Sequence, residues 1–163
     1  MDFSSVTGMF TSLPTDWIVL GAVVAFVALD ALRSGSGRAV ALVVSTPVAL
    51  LLFSAFKSAA VLASLGTQLT TPLLQAVLFI VLTFAVFLLV GRMSANWISD
   101  SGAPLQALLA GLAATAVLTV TWVSVPAFDA LWDFGGQVRN IFGEPYRFWW
   151  VIGALGILAF IRK

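Results

Sequence analysis

Five long, predominantly apolar runs, most of them closed by a proline or a basic side chain, leave this chain few ways to fold. They are Trp17 to Leu29, Ala39 to Phe56, Pro72 to Gly91, Pro104 to Val125 and Phe148 to Ile161. A helix needs about 20 apolar residues to cross the roughly 30 Å hydrocarbon core of a bilayer. Only 9% of the 163 residues are charged and 61% are hydrophobic, against roughly 25% charged in soluble domains. In water such a chain would expose far more apolar surface than a monomer tolerates. The expectation is an all-α, polytopic membrane protein with four to five transmembrane helices. Residues 1–163 read as a single integral membrane domain with no room for a separate catalytic domain.

The spans are expected at about 15–32, 39–56, 72–91, 104–125 and 148–161. Pro14-Thr15-Asp16 supplies a start for the first, with Thr15 or Asp16 able to cap the free amides. Trp17 stands where an interfacial anchor belongs, and Arg33 can snorkel to the headgroups. Pro47, in the middle of the second run, predicts a kink, which membrane helices tolerate when neighbours re-satisfy the freed carbonyl. Pro72 and Pro104 fall at first turns, where a missing N–H costs little. Phe148 to Ile161 is short, since 14 residues rise only about 21 Å. It is apolar on every side, however, which argues for insertion. Two further segments, about 58–70 and 127–142, mix apolar and polar residues at helical spacing and read as interfacial helices. The second is interrupted at Gly135-Gly136.

Charge sets the expected orientation. With five spans, Arg33, Arg38, Arg92, Arg162 and Lys163 share one side, and Lys57, Arg139 and Arg147 the other. The larger count marks the cytoplasm, so the N-terminus is expected outside and the C-terminus inside. The residues before the first run carry Asp2 and Asp16 but no Lys or Arg, unlike the positive start of a signal peptide. The first helix is therefore expected to be retained. No basic run suggests nucleic acid as a partner; the partners expected are the lipid bilayer and a homo-oligomer or larger membrane complex.

The chemistry-bearing residues are sparse. Histidine and cysteine are both absent, which removes Ser-His-Asp and Cys-His nucleophiles and the imidazole or thiolate metal sites. No catalytic, cofactor-binding or metal-binding residue is expected. A lysine-activated serine, Ser54 or Ser58 with Lys57, is conceivable, but Lys57 serves better as a helix-end anchor. Glycine pairs at Gly35, Gly37 and Gly135-Gly136 lack the lysine of a phosphate loop. Asp30, Arg33, Gln75 and Gln106 are the polar groups that would line a path if the chain formed a channel. Asp30 and Arg33, three apart, can pair on one helix face, although a helix starting near Thr15 should emerge from the bilayer there. Ala107, Gly111 and Thr115 recur every four residues and mark a face where another helix can approach closely. Gly21 with Ala25, and Gly153 with Gly156, form smaller faces of the same kind. Packing within the monomer explains such faces better than a dedicated oligomer interface.

The order of elements carries a family resemblance. Thr15-Asp16-Trp17-Ile18-Val19-Leu20 opens a short first helix, and Arg33 follows 17 residues after the aspartate. A long helix contains Ala76-Val77-Leu78-Phe79-Ile80, a polar turn contains Ser101-Gly102, and a helix rich in small residues begins at Leu105. Over about residues 15–142 this resembles the colicin V production proteins, bacterial inner-membrane proteins with four spans and an amphipathic tail. Two departures stand out: Ser34 occupies the place of a glycine after the first-loop arginine, and Gly111 to Thr119 contains no arginine. The resemblance implies a non-enzymatic role in envelope assembly, maintenance or peptide export in the bacterial inner membrane. The length also brings to mind lipoprotein signal peptidases, but the Asn- and Gly-rich blocks around that family's aspartates are missing near Asp30, Asp100, Asp129 and Asp133. The alternatives from other classes are a small oligomeric channel or transporter subunit, and an accessory scaffold subunit of a larger membrane complex.

Overall fold

Twenty-odd apolar residues in succession satisfy their backbone groups internally only as a helix, and the architecture follows from that constraint. The computed structural model describes residues 14–35, 37–58, 71–94 and 104–161. These residues form helices and no strand. Four are long and apolar enough to cross a membrane: α1 (Thr15–Ser34), α2 (Gly37–Ser58), α3 (Pro72–Ser94) and α4 (Pro104–Ser124). A 3-10 turn over Pro126–Ala130 leads to the short α5 (Gly136–Phe142). A second turn, Glu144–Tyr146, leads to α6 (Arg147–Ile161). The interfacial helix expected at 58–70 lies outside the described residues, apart from its first residue, Ser58, which ends α2. The single interrupted helix expected at 127–142 is instead a 3-10 turn and a seven-residue α-helix, separated by the non-helical stretch from Leu131 to Gly135.

Local chemistry shapes the helix ends. Helix α1 starts after Pro14 without a side-chain cap, so the expected cap from Thr15 or Asp16 is absent. The Asp16 carboxylate is engaged elsewhere, as described below. Helix α2 runs unbroken through Pro47. The Ser45 and Thr46 hydroxyls both donate to the Leu42 carbonyl, at 3.0 and 2.6 Å, in the turn that the proline disturbs. Gly35, between α1 and α2, has φ 81°, a left-handed conformation that side-chain-bearing residues adopt only at a cost.

Helix α4 is the centre of the bundle. It touches α1, α2 and α6, and its inner face is a run of small residues: Ala107, Ala110, Gly111, Ala113, Ala114 and Thr115 are all buried. Helix α1 lies antiparallel against it, with Gly111 facing Val24 and Ala28 and, further along, Val120 clustering with Leu20. A Cβ built on Gly111 would stand 2.8 Å from the Val24 carbonyl oxygen and 3.1 Å from the Ala28 Cβ. The small face expected at Ala107, Gly111 and Thr115 is thus used inside the chain.

Helix α6 also runs antiparallel to α4, its Ala154 and Leu158 packing among Ala107, Ala110, Ala113 and Ala114. It therefore runs in the same direction as α1 and ends near the α1–α2 turn. Helices α2 and α3 pair on the other side. There Phe53, Phe79, Phe128, Trp122 and Phe134 form a chain of aromatic contacts with centroids 4.6 to 6.2 Å apart. Such pairs contribute about 0.5–1.5 kcal/mol each beyond burial. Helix α3 is peripheral: Ile80, Val81, Phe84, Leu88 and Leu89 are exposed. An apolar outer face of this kind belongs in hydrocarbon rather than water.

Candidate functional site

The segment from Val125 to Tyr146 covers one end of the bundle, here called the capped end. It is held by polar contacts that reach far along the chain. The Asp16 carboxylate accepts from the Gly135 amide at 2.7 Å and from Trp132 Nε1 at 3.4 Å. Trp17 Nε1 donates to Gln137 Oε1, Trp122 Nε1 to the Trp132 carbonyl, and Trp150 Nε1 to the Ile141 carbonyl. Arg139 bridges Asp129 at 2.8 Å and also Asp133, and its Nε donates to the Phe134 carbonyl. The hydrogen bond that Arg139 donates to Asp129, followed by the one it donates to Asp133, holds its guanidinium above its ordinary pKa.

Below this cap, α1 and α6 flank α4 without closing over it. The space between them is a groove of about 1060 Å³ that opens sideways. That is just above the roughly 300–1,000 Å³ typical of small-molecule sites. Its floor is α4, through Leu112, Ala113, Thr115, Ala116 and Thr119. Gly21 and Val24 of α1 form one wall; Trp149, Gly153 and Ile157 of α6 form the other. Trp17, Asn140, Phe142 and Tyr146 make the rim at the capped end. Gly21 and Gly153 widen the groove: a Cβ on either would meet nothing within 4 Å.

Two buried polar side-chain atoms among the described residues have no hydrogen-bond partner, Thr115 Oγ1 and Arg147 Nε. Other helix hydroxyls turn back to their own helix's carbonyls: Thr119 to Thr115, Thr121 to Val117, Ser124 to Val120 and Thr83 to Phe79. Thr115, only 5% exposed, does not. It lines the groove. Arg147 lies in sequence between Tyr146 and Trp149, which both line it as well.

The polar residues singled out from the sequence do not meet. Asp30 bridges Arg38, at 3.0 Å, rather than Arg33, its neighbour on the helix; Ser34 Oγ also donates to its Oδ1. The α1–α2 turn brings Arg38 back beside Asp30, a proximity that spacing along one helix does not reveal. Arg33 is exposed and, among the described residues, in no ion pair. Asp30, Arg33 and Gln106 stand near the end of the bundle opposite the cap. Gln75 stands near the capped end, one residue from Ala76, which packs with Phe53 and Phe128. Of the named positions only Thr115 reaches the groove. Among the described residues no three carboxylates cluster as metal ligands would.

The groove's other residues were visible only as separate signals: Gly21 as part of one small face, Gly153 of another, Trp17 as an interfacial anchor. What joins them is that α1 and α6 pack on the same face of α4. No protein-family model, curated protein or solved structure matches this chain.

Proposed function

We propose that this is a non-enzymatic protein of the bacterial inner membrane, serving envelope assembly, envelope maintenance or peptide export, with the lateral groove as its working surface. The observation that carries this reading is the groove itself. It opens at the side of the bundle between α1 and α6, its walls are widened by two glycines, and its floor is the central helix. A surface of that shape suits a protein that works by holding an apolar molecule in the plane of the membrane. Among the described residues, three of the aspartates weighed for catalysis are engaged by cations, Asp30 by Arg38 and Asp129 and Asp133 by Arg139. The likeness of residues 15–142 to colicin V production proteins supplies the physiological direction. The balance of Lys and Arg supports an outside N-terminus, so that the capped end faces away from the cytoplasm.

The test is deletion and complementation in the native host. Loss of the gene is expected to raise sensitivity to detergents and envelope-excluded antibiotics, or to lower the yield of a secreted peptide. A copy carrying Gly91→Phe should restore the parent, because that glycine has open space around it and lies outside the groove. A copy carrying Gly153→Phe, which fills the groove, should not. An unaltered deletion phenotype, or full restoration by Gly153→Phe, overturns the proposal.

A further inference from the structure

We infer that helix α5 is a strut that sets the width of the groove at its capped end, with Asp16 and Trp150 as the positioning residues that tie it to the two walls. That this width governs activity rests on reading the groove as the working surface. The walls need such a spacer. Helices α1 and α6 make their main contacts with α4 rather than with each other. Gly21 and Gly153 present no side chain to bridge the gap, and a Cβ on either would meet nothing within 4 Å.

The ties sit at opposite ends of α5. At its start, the Asp16 carboxylate of α1 accepts from the Gly135 amide at 2.7 Å, and the adjacent Trp17 Nε1 donates to Gln137 Oε1 at 3.3 Å. At its end, Trp150 Nε1 of α6 donates to the Ile141 carbonyl at 2.7 Å. The Trp150 ring also stacks on Phe142, with centroids 4.7 Å apart. From Gly135 to Ile141 the chain rises roughly 9 Å at 1.5 Å per residue. A helix leaves its first amides and last carbonyls without partners inside itself, and α5 has no N-terminal side-chain cap of its own. Those free groups are what the two walls take up.

The strut is stiff and seated. Arg139, in its middle, bridges Asp129 and Asp133 and donates to the Phe134 carbonyl, which joins α5 to the turn before it. Val138 is fully buried beside Leu20 and Val120. That apolar contact holds α5 against the bundle but is non-directional; the hydrogen bonds at its two ends fix the line along which it lies. Gly135 admits the tie to α1, since a Cβ there would stand 3.0 Å from Asp16 Oδ2. Trp122 of α4, by contrast, donates to the Trp132 carbonyl, so it holds the cap to the floor and to neither wall.

The experiment uses the full chain in phosphatidylcholine vesicles, with spin labels on introduced cysteines and distances read by double electron–electron resonance; no native cysteine interferes. Ile18→Cys with Ile152→Cys reports the capped end, and Leu32→Cys with Phe160→Cys the opposite end. These positions are exposed and outside the groove. The parent should give one narrow distribution at each end. Asp16→Ala should lose the narrow distribution at the capped end and keep it at the opposite end. Trp150→Phe, which keeps a ring for the stack but no N–H, should do the same. Asp16→Asn, which retains an acceptor for Gly135, should keep both distributions, as should Trp122→Phe. If Asp16→Ala does not fold, Gly135→Ala decides, because its Cβ crowds the same tie; it should lose the narrow distribution at the capped end alone. Unchanged distances in the variants that cut a tie overturn the inference. So does equal broadening at both ends, or broadening in Trp122→Phe, since α5 would then be one packed element among others. If the distances respond as expected yet Gly153→Phe complements, the strut stands and the functional reading falls. If they do not move while Gly153→Phe fails to complement, the strut is wrong and the working surface stands.

Discussion

Thr115 and Thr119 sit one turn apart on α4, both buried, and differ in what their hydroxyls meet. Thr119 Oγ1 donates to the Thr115 carbonyl at 2.8 Å, whereas Thr115 Oγ1 has no partner. An unmet buried hydroxyl costs about 1–3 kcal/mol, while a made hydrogen bond contributes about 0.5–1.5 kcal/mol net. In detergent solution, Thr115→Val should therefore raise the thermal midpoint, by about 2–4 °C for each kcal/mol recovered. Thr119→Val should raise nothing. A fall for Thr115→Val would mean that the hydroxyl is satisfied in solution. The residue scale is also where the sequence is least informative. Asp16 reads locally as a helix cap and Asp30 as the partner of Arg33, because spacing along one helix exposes only neighbours three or four residues away. Their actual partners, Gly135 and Arg38, are supplied by the cap and by the α1–α2 turn.

Helices were the most legible elements, because hydropathy alone decides whether a run of 20 residues can cross a bilayer. Which face each helix turns inward was harder to read. Helix α3 is apolar all round, so no polar stripe marks its outside; Phe84 and Leu88 look no different in sequence from the buried Phe79 and Val86. Helix α4 was the exception, its small residues marking a close approach whose partner the sequence left open. That partner is α1, at Val24 and Ala28. Gly111→Leu must push α1 and α4 apart, and overpacking of this kind costs about 1–3 kcal/mol. The expected outcome is a lower thermal midpoint with unchanged particle size in mild detergent. A shift to smaller species at unchanged midpoint would instead place the face between subunits.

At the scale of the molecule, the groove exists because two helices separated by more than a hundred residues dock on one face of α4. No local pattern in the chain announces such a site. The direction of α6 is the related global feature. Its 15 residues rise only about 22 Å, against a core of roughly 30 Å. Yet Trp150 stacks on Phe142 at the capped end, and Leu158 packs with Ala107 and Ala110 near the start of α4. A helix lying flat on the membrane surface could not make both contacts. The missing length can be taken up by local thinning or snorkelling, at a fraction of a kcal/mol per Å. The absence of native cysteine makes labelling with a membrane-impermeant maleimide a direct test in intact cells. Gly143 is a poor site for the reporter, because a Cβ there would collide with the Arg139 carbonyl oxygen. Glu144, its exposed neighbour, is better suited. In one variant Glu144→Cys reports the capped end; in another, a cysteine appended after Lys163 reports the far side. Labelling of Glu144→Cys alone is the expected outcome, and it means five crossings with the capped end outside. Labelling of the appended cysteine alone would keep the crossing and invert the protein. Equal labelling of both would mean that α6 does not cross, and the contacts joining Trp150 to Phe142 and Leu158 to Ala107 could not both persist in the membrane.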